Sequence, residues 1–381
     1  KKNGNKIFQL DEEGPISEMD KIQRVYRYPD KVFKNVDKFF SWGKKDQEFL
    51  KKKTKKKIIL SGHPKFDLLE KHNVKFFEHE VNNIKKKYGQ FIFFASSFSE
   101  DNILNQSTFK KYKKSYLPNR KDLLKQDLKK NNERKKNYYF AIKTLNELSK
   151  KNKNLKIIFR PHPLQDIKKV RQRFTDNKNI IVNKDFSATS WIIATKLYMH
   201  SGCTTSFEAQ KLKKKAILLS RIKKVEKNLK YNYGKRIFNV NELDQYLNQK
   251  KFSKNFQSKL NLEIFNLKQN INFSEIFIQE LKNAEVLKSF YLLKENKTNF
   301  FLKNLFSLIS YIKNINFFSF LLSFFLSGNV LLSKEYKEQK FKSLKINEIR
   351  DNLKKFKNLN KTKTNINIKK ISDNIFELKK S

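Results

Sequence analysis

Cysteine, glycine, proline and acidic side chains are all scarce in this chain, and each shortage excludes something. A single thiol, Cys203, rules out an internal disulfide framework and fits a reducing compartment, so a cytoplasmic protein is expected. Eight glycines in 381 residues form neither a Walker loop nor a GxGxxG fingerprint, which makes P-loop ATP hydrolysis and dinucleotide oxidation poor candidates. No HExxH, cysteine cluster or paired acidic motif lies between a strand and a helix, so no metal centre is predicted. The opening KKNGNKIFQL has too short an apolar run for a secretory signal. It begins with lysine directly before an apparent strand, and a fragment without its true N-terminus is expected.

Acidic residues number 37 against 85 lysines and arginines, a formal charge of +48. Such an excess raises the question of nucleic acid or anionic membrane. The excess is mostly lysine, however, spread along the whole chain together with abundant asparagine, isoleucine and phenylalanine. That is the signature of a compositional bias on tolerant surface positions. Placed arginine forks and aromatics of a nucleic-acid reader are not recognisable, so nucleic acid is not the expected partner.

Apolar runs of four to six residues recur with helical segments between them. KIFQL (6–10), KIILS (57–61), FIFFA (91–95), KIIFR (156–160), NIIV (179–182), KLYMH (196–200) and AILLS (216–220) are continuous rather than alternating, as in strands buried on both faces. Helices are predicted over 133–151, with Tyr138, Ala141, Ile142, Leu145 and Leu148 on one stripe, and over 165–174, 187–195 and 204–213. Alternating strand and helix predicts a parallel α/β sheet of Rossmann-like type with right-handed crossovers. Residues 97–132 break the rhythm and predict a loop and a short helix beside the first strand's carboxyl end.

Residues 1–75 are expected to be the remnant of a first α/β domain, 76–245 a second and complete one, 246–333 a helical extension and 334–381 a mobile basic tail. Within the extension, 314–333 is uncharged over twenty residues between Lys313 and Lys334, about the length of a membrane span. Three asparagines, four serines and a Gly-Asn pair favour instead a helix buried against protein or lying in the membrane interface.

Two turns carry the chemistry. In KIIFRPHP the strand ends at Arg160, and Pro161 and Pro163 fix the angle of His162. An arginine and a histidine at the carboxyl end of a parallel strand suit a phosphate, although a rigid connection with a solvated histidine is the plainer reading. In KLYMHSGCTTSFEA the strand ends at His200, and Ser201, Gly202, Thr204 and Thr205 make a hydroxyl-rich turn suited to a diphosphate. Glu208 could reach a ribose hydroxyl. The plainer reading is a capping box from Thr205 to Glu208. His200 is a phosphate or structural residue, and Cys203 a buried thiol rather than a nucleophile. Two such turns on neighbouring strands point to one shared nucleotide diphosphate.

The ordered motifs LDEEG (10–14), FFSWGKKDQ (39–47), SGHPKFDLL (61–69), FRPHP (159–163) and HSGCTTSFEA (200–209) resemble those of bacterial surface carbohydrate biosynthesis proteins. These are GT-B glycosyltransferase-like proteins related to capsule polymerases and CDP-glycerol glycerophosphotransferase type enzymes. The resemblance covers roughly residues 6–245. It implies a GT-B-like α/β fold of two Rossmann-like domains, the first incomplete, with a helical C-terminal extension. It also implies transfer of a sugar or polyol phosphate from a nucleotide-activated donor to a glycan or lipid-linked acceptor, with no cofactor and no metal, in a cytoplasmic protein peripheral at the inner membrane face. Arg160 and His162 would hold the donor phosphates; Ser201, Thr204 and Thr205 the diphosphate; Glu208 the ribose. The base would come from the first domain, where Asp11, Glu12 and Glu13 are the candidates beside a plain solvated acidic turn, with His63 a weaker one. A sugar-nucleotide epimerase of the same fold and a non-enzymatic polybasic membrane or nucleic-acid binder remain the alternatives.

Overall fold

The computed structural model describes residues 6–12, 14–16, 24–25, 27–98, 121–163, 165–221, 233–248, 272–283, 345–360, 365–372 and 375–380. Glu13 and the apolar segment 314–333 lie outside them. The chain divides into two compact units, the first holding residues up to Gly62 and a later segment that includes 273–282, the second most of the rest.

The first unit is built on a parallel sheet of three described strands in the order β1 (Phe8–Gln9), β2 (Lys38–Ser41), β3 (Lys57–Leu60). Helices α1 (Asp30–Asn35) and α2 (Lys44–Lys51) lie between its strands in sequence. Phe39 of β2 packs there with Ile16, Tyr28, Val36 and Leu50. Phe8 and Phe40 pack instead against a later helix, Phe273–Lys282: Phe277 meets Phe8 edge-on, and Phe273 and Phe277 lie 5.6 and 5.5 Å from Phe40 between ring centroids. Glu280 of that helix accepts from Lys38 and Lys57, both at 2.8 Å. Part of the segment expected as a separate extension is therefore a layer of the first unit. Its i, i+4, i+7 spacing of Phe273, Phe277 and Glu280 sets one face against the sheet.

The second unit opens with α3 (Pro64–Asp67), a 3₁₀ turn (Asn73–Phe77) and α4 (Glu78–Tyr88). It continues as β4 (Ile92–Ala95), α5 (Lys121–Lys151), β5 (Ile157–Arg160), α6 (Ile167–Gln172), β6 (Ile180–Val182), α7 (Ala188–Ala194), β7 (Leu197–His200), α8 (Thr205–Lys211), β8 (Ala216–Leu219), β9 (Lys235–Ile237) and α9 (Val240–Asn248). The six strands are all parallel, in the order β6-β5-β4-β7-β8-β9. The α/β class and all seven expected strands are thus present.

Continuous apolarity has its cause in the two covered faces. Phe94, Phe159 and Met199 point to the face packed by α5, α6 and α9, whereas Phe93, Ile158 and Tyr198 point to the face packed by α4, α7 and α8. The predicted stripe of α5 is buried as expected, Leu145 and Leu148 completely. Each such side chain contributes about 1.5–3 kcal/mol of apolar burial. Trp191 of α7 anchors the second face, stacked on Phe93 at 5.9 Å and donating its indole N–H to the Asp185 carbonyl at 2.6 Å.

The 334–381 tail is not the featureless segment the lysines suggested. Helix α11, here Ile346–Asn360 after α10 at Phe273–Lys282, sets Phe356 4.8 Å from Phe76, and a hairpin of β10 (Ile366–Ser372) and β11 (Ile375–Lys380) follows. Ile346, Ile349, Leu353 and Phe356 recur at helical spacing beneath the lysines, which is the signal the charge concealed.

Gly234, at the entry to β9, has φ +110°, and a Cβ there would meet the Ala216 carbonyl carbon and oxygen at 2.7 Å. Backbone cannot yield as a side chain does. Gly234→Ala is expected to lower the unfolding free energy by about 3 kcal/mol, combining left-handed strain with overpacking. Urea denaturation against the exposed control Lys143→Ala, expected within about 0.5 kcal/mol of wild type, checks this.

Candidate functional site

The strand order places a reversal at β4. From β4 the chain runs through α5 to β5 and β6 on one side, then returns through α7 to β7 on the other. At such a reversal the loops leaving the two central strands diverge and open a crevice at the carboxyl edge. Ala95 pairs with Arg160 on one flank and with His200 on the other. The two motif turns are therefore not on neighbouring strands: β4 lies between them, and their Cα atoms at the strand ends stand about 10 Å apart by sheet spacing. The loop after β4 supplies Ser96 and Ser97, which sequence reasoning did not single out. Ser97 donates to the Ser201 carbonyl at 3.5 Å, tying this loop to the β7 turn. The Ser-Ser pair directly after FIFFA was its only signal.

Arg160 is anchored by one end. Its Nη1 donates to the carbonyls of Lys184 (2.8 Å) and Asp185 (3.0 Å) in the loop after β6, while Nε and Nη2 have no partner among the described residues. Burial lowers its pKa, partly offset by Asp185, Cys203, Glu208 and Glu80, but a guanidinium stays charged in protein. The β5 turn is latched in return: Lys184 Nζ donates to the carbonyls of Gln165 and, at 3.4 Å, Pro163. His162 is half-buried, its N–H donating to Gln165 Oε1 at 2.8 Å and its carbonyl accepting from the Gln165 N–H at 2.8 Å. Gln165 is fully buried, and its Nε2 has no partner among the described residues. The turn is held by its own chain at both ends.

His200 builds the other turn. Its ring is fully buried; Nδ1 accepts from the N–H groups of Gly202 (3.1 Å) and Cys203 (3.4 Å), and Nε2 donates to the Tyr233 carbonyl at 2.7 Å. Both nitrogens are committed, so the ring shapes the turn from beneath rather than reaching a phosphate. This bonding requires the neutral imidazole, and burial depresses its pKa to about 4. Gly202 takes φ +93°, which lets the turn close.

Hydroxyls of this turn divide into two groups. Thr204 is exposed at the start of α8, and Ser201 Oγ is buried without a partner among the described residues. Thr205 faces inward, its Oγ1 shared with the Tyr198 hydroxyl (2.8 Å) and the Cys203 thiol (3.0 Å). Burial raises the Cys203 pKa, which keeps the thiol protonated. Glu208 is 3% exposed and is held by Lys65 Nζ at 2.9 Å and by the Thr189 hydroxyl. The capping box does not form: Thr204 is the N-cap of α8 and makes no side-chain cap, and Glu208 turns to Lys65 and Thr189 instead. Those two partners come from α3 and α7, distant in sequence. His63 caps α3, its Nδ1 accepting from the Lys65 N–H at 3.2 Å.

In the first unit Asp11 is 5% exposed and accepts both Nε (2.8 Å) and Nη2 of Arg27, while its carbonyl accepts from the Trp42 indole at 2.7 Å. Glu12 is exposed. Among the described residues no three His, Cys, Asp or Glu side chains are grouped to hold a metal ion, and no helix is long and apolar enough to cross a membrane.

No protein-family model and no curated protein matches this sequence. Solved structures do. The wall teichoic acid polymerase TagF matches at 12% identity over 74% of this chain and 68% of that one, with a TM-score of 0.45. S. aureus MnaA with UDP matches at 14% over 74% and 68%, TM-score 0.44. The UDP-GlcNAc 2-epimerase of Methanocaldococcus jannaschii, with UDP-GlcNAc and UDP, matches at 15% over 66% and 62%, TM-score 0.38.

Because folded His200 titrates near pH 4 rather than 6.5, the unfolded chain takes up a proton between these values that the folded chain refuses. Stability therefore rises with pH across that window and is lost as pH falls through it, by about 3 kcal/mol at full extent. Denaturation at pH 7 and 4.5 measures the slope, and His200→Asn is expected to be less stable at pH 7 with a flatter slope.

Proposed function

We propose that the protein transfers a sugar or a polyol phosphate from a nucleotide-activated donor to a glycan or lipid-linked acceptor, with protein cations and N–H groups rather than a metal ion stabilising the leaving diphosphate. The observation that carries this reading is Arg160. It is partly buried at the carboxyl edge beside the reversal, held by Nη1 alone, with Nε and Nη2 unpartnered among the described residues. A guanidinium so oriented is a ready bidentate donor to phosphate oxygens.

His162 stands two residues on, at a turn fixed by Gln165 and Lys184, and adds a second donor to the departing phosphate. Ser201 and the exposed Thr204 supply hydroxyls across the reversal. Preoriented donors of this kind stabilise charge as it develops on the leaving group and need no reorganisation at that moment. Glu208 takes the ribose in this reading by sharing its carboxylate with Lys65 and Thr189. His200 and Thr205 serve by holding the turn.

The acceptor hydroxyl must lose a proton as it attacks. Both carboxylate oxygens of Asp11 are bound by Arg27 and its carbonyl accepts from the Trp42 indole, so Asp11 holds its own segment of the first unit and is a poor proton acceptor. A lipid-linked acceptor would bring the strongly basic chain to an anionic membrane surface.

Calorimetric titration with CDP, UDP and CMP tests the donor site. Arg160→Ala is expected to weaken the bound nucleotide by about 10- to 100-fold, the worth of charge-assisted hydrogen bonds, and His162→Ala by less. Unchanged affinity for all three in both variants would sink the assignment. Product formed from a nucleotide sugar with no acceptor present would favour the epimerase instead.

A further inference from the structure

The second unit holds a cavity of about 360 Å³ that none of the roles above uses. One wall is the first turn of α4, through Glu78, His79 and Asn82, and the other is the last turn of α11, through Lys355 and Asn358. At about 100° per residue the three α4 positions turn away from Val81, Ile84 and Tyr88, which enter the core. On the core side, Glu80 accepts from the Ser190 hydroxyl at 2.5 Å and the Ser187 N–H at 3.4 Å, at the head of α7. This end of α4 therefore stands at the carboxyl edge of the sheet, outside the crevice.

Both walls are fixed before any ligand arrives. Phe356 packs 4.8 Å from Phe76 between ring centroids, and His72 Nε2 donates to the Leu359 carbonyl at 3.0 Å. Lys355 is half-buried, its ammonium 5.3 Å from the centre of the Phe76 ring rather than extended into water. Lys75, which also lines the cavity, is exposed, and neither lysine nor Glu78 has an ion-pair partner among the described residues. We propose that this cavity is a second ligand site, for a phosphorylated sugar or polyol. Two unpaired ammonium groups suit a phosphate as point charges, and the amides of Asn82 and Asn358, with the Glu78 carboxylate and the His79 ring, suit hydroxyls. The volume lies at the small end of ligand pockets, enough for one such unit. The site goes beyond the donor reading and does not use Arg160.

Ligand-detected NMR titration of the full chain with glycerol 3-phosphate, glycerol and inorganic phosphate, at one ionic strength, tests this. Glycerol 3-phosphate is expected to bind tightest of the three. Lys75→Gln and Lys355→Gln should each weaken it about tenfold, and Asn82→Ala should weaken it while leaving inorganic phosphate within about twofold. Lys143→Gln, which removes the same charge from the exposed face of α5, and Arg160→Ala should both bind as wild type does. Wild-type affinity in the cavity variants, an equal loss in Lys143→Gln, or loss in Arg160→Ala overturns the site; the last result moves the ligand into the donor crevice. So does a wild-type chain that binds none of the three, and nucleotide binding then still decides the donor reading separately. A phosphodiester-linked glycerol phosphate oligomer identifies the source: tighter binding than the monomer assigns the cavity to a chain segment, weaker binding to a free metabolite.

Discussion

The reversal of strand order at β4 is the constraint on which the proposed site depends. Right-handed crossovers require the chain to cover one face while it builds outward through β5 and β6, and the opposite face after it returns to β7. Helices α5 and α6 accordingly pack one side, and α7 and α8 the other. All six strands then deliver their carboxyl ends to one edge, where Arg160 and His200, forty positions apart in sequence, lie level with the same residue, Ala95. Were β5 and β7 adjacent, the loop after β4 with Ser96 and Ser97 could not lie between the two turns.

Around that edge, buried groups of the chain itself hold the turns. The neutral ring of His200 collects two backbone N–H groups and gives its own to Tyr233. Arg160 and Lys184 exchange bonds between the loops after β5 and β6, each cation resting on the other loop's carbonyls. Donors fixed in advance need little reorganisation when an anion arrives. The same bonding separates supporting residues from reaching ones: Thr205 turns inward to Tyr198 and Cys203, whereas Thr204 is exposed.

Much of this fold was legible because buried parallel strands must be apolar on both faces. FIFFA, KIIFR, KLYMH and AILLS announced β4, β5, β7 and β8 within a residue or so. β2 was missed because KFFS is short and runs straight into Trp42-Gly43, and β9 because Lys235-Arg236-Ile237 is a three-residue strand at the sheet's edge with a single apolar position. Lysine density disguised α11 as tail. At the site, the two turns were visible as proline-bound arginine and histidine and as a serine-threonine run after a strand. The partners of Glu208 were not visible, since Lys65 and Thr189 reach it from other elements.

The sequence by itself determined the buried strands β4 to β8 and the helices between them, and with them the α/β class, because periodicity and burial are local properties of the chain. It also determined which residue types stand at the strand ends. Tertiary structure alone decided which turns flank β4, which hydroxyls point inward, and that both oxygens of Asp11 belong to Arg27. Those outcomes depend on strand order and on hydrogen bonds between residues far apart in the chain, and neither is written in the spacing of any one segment.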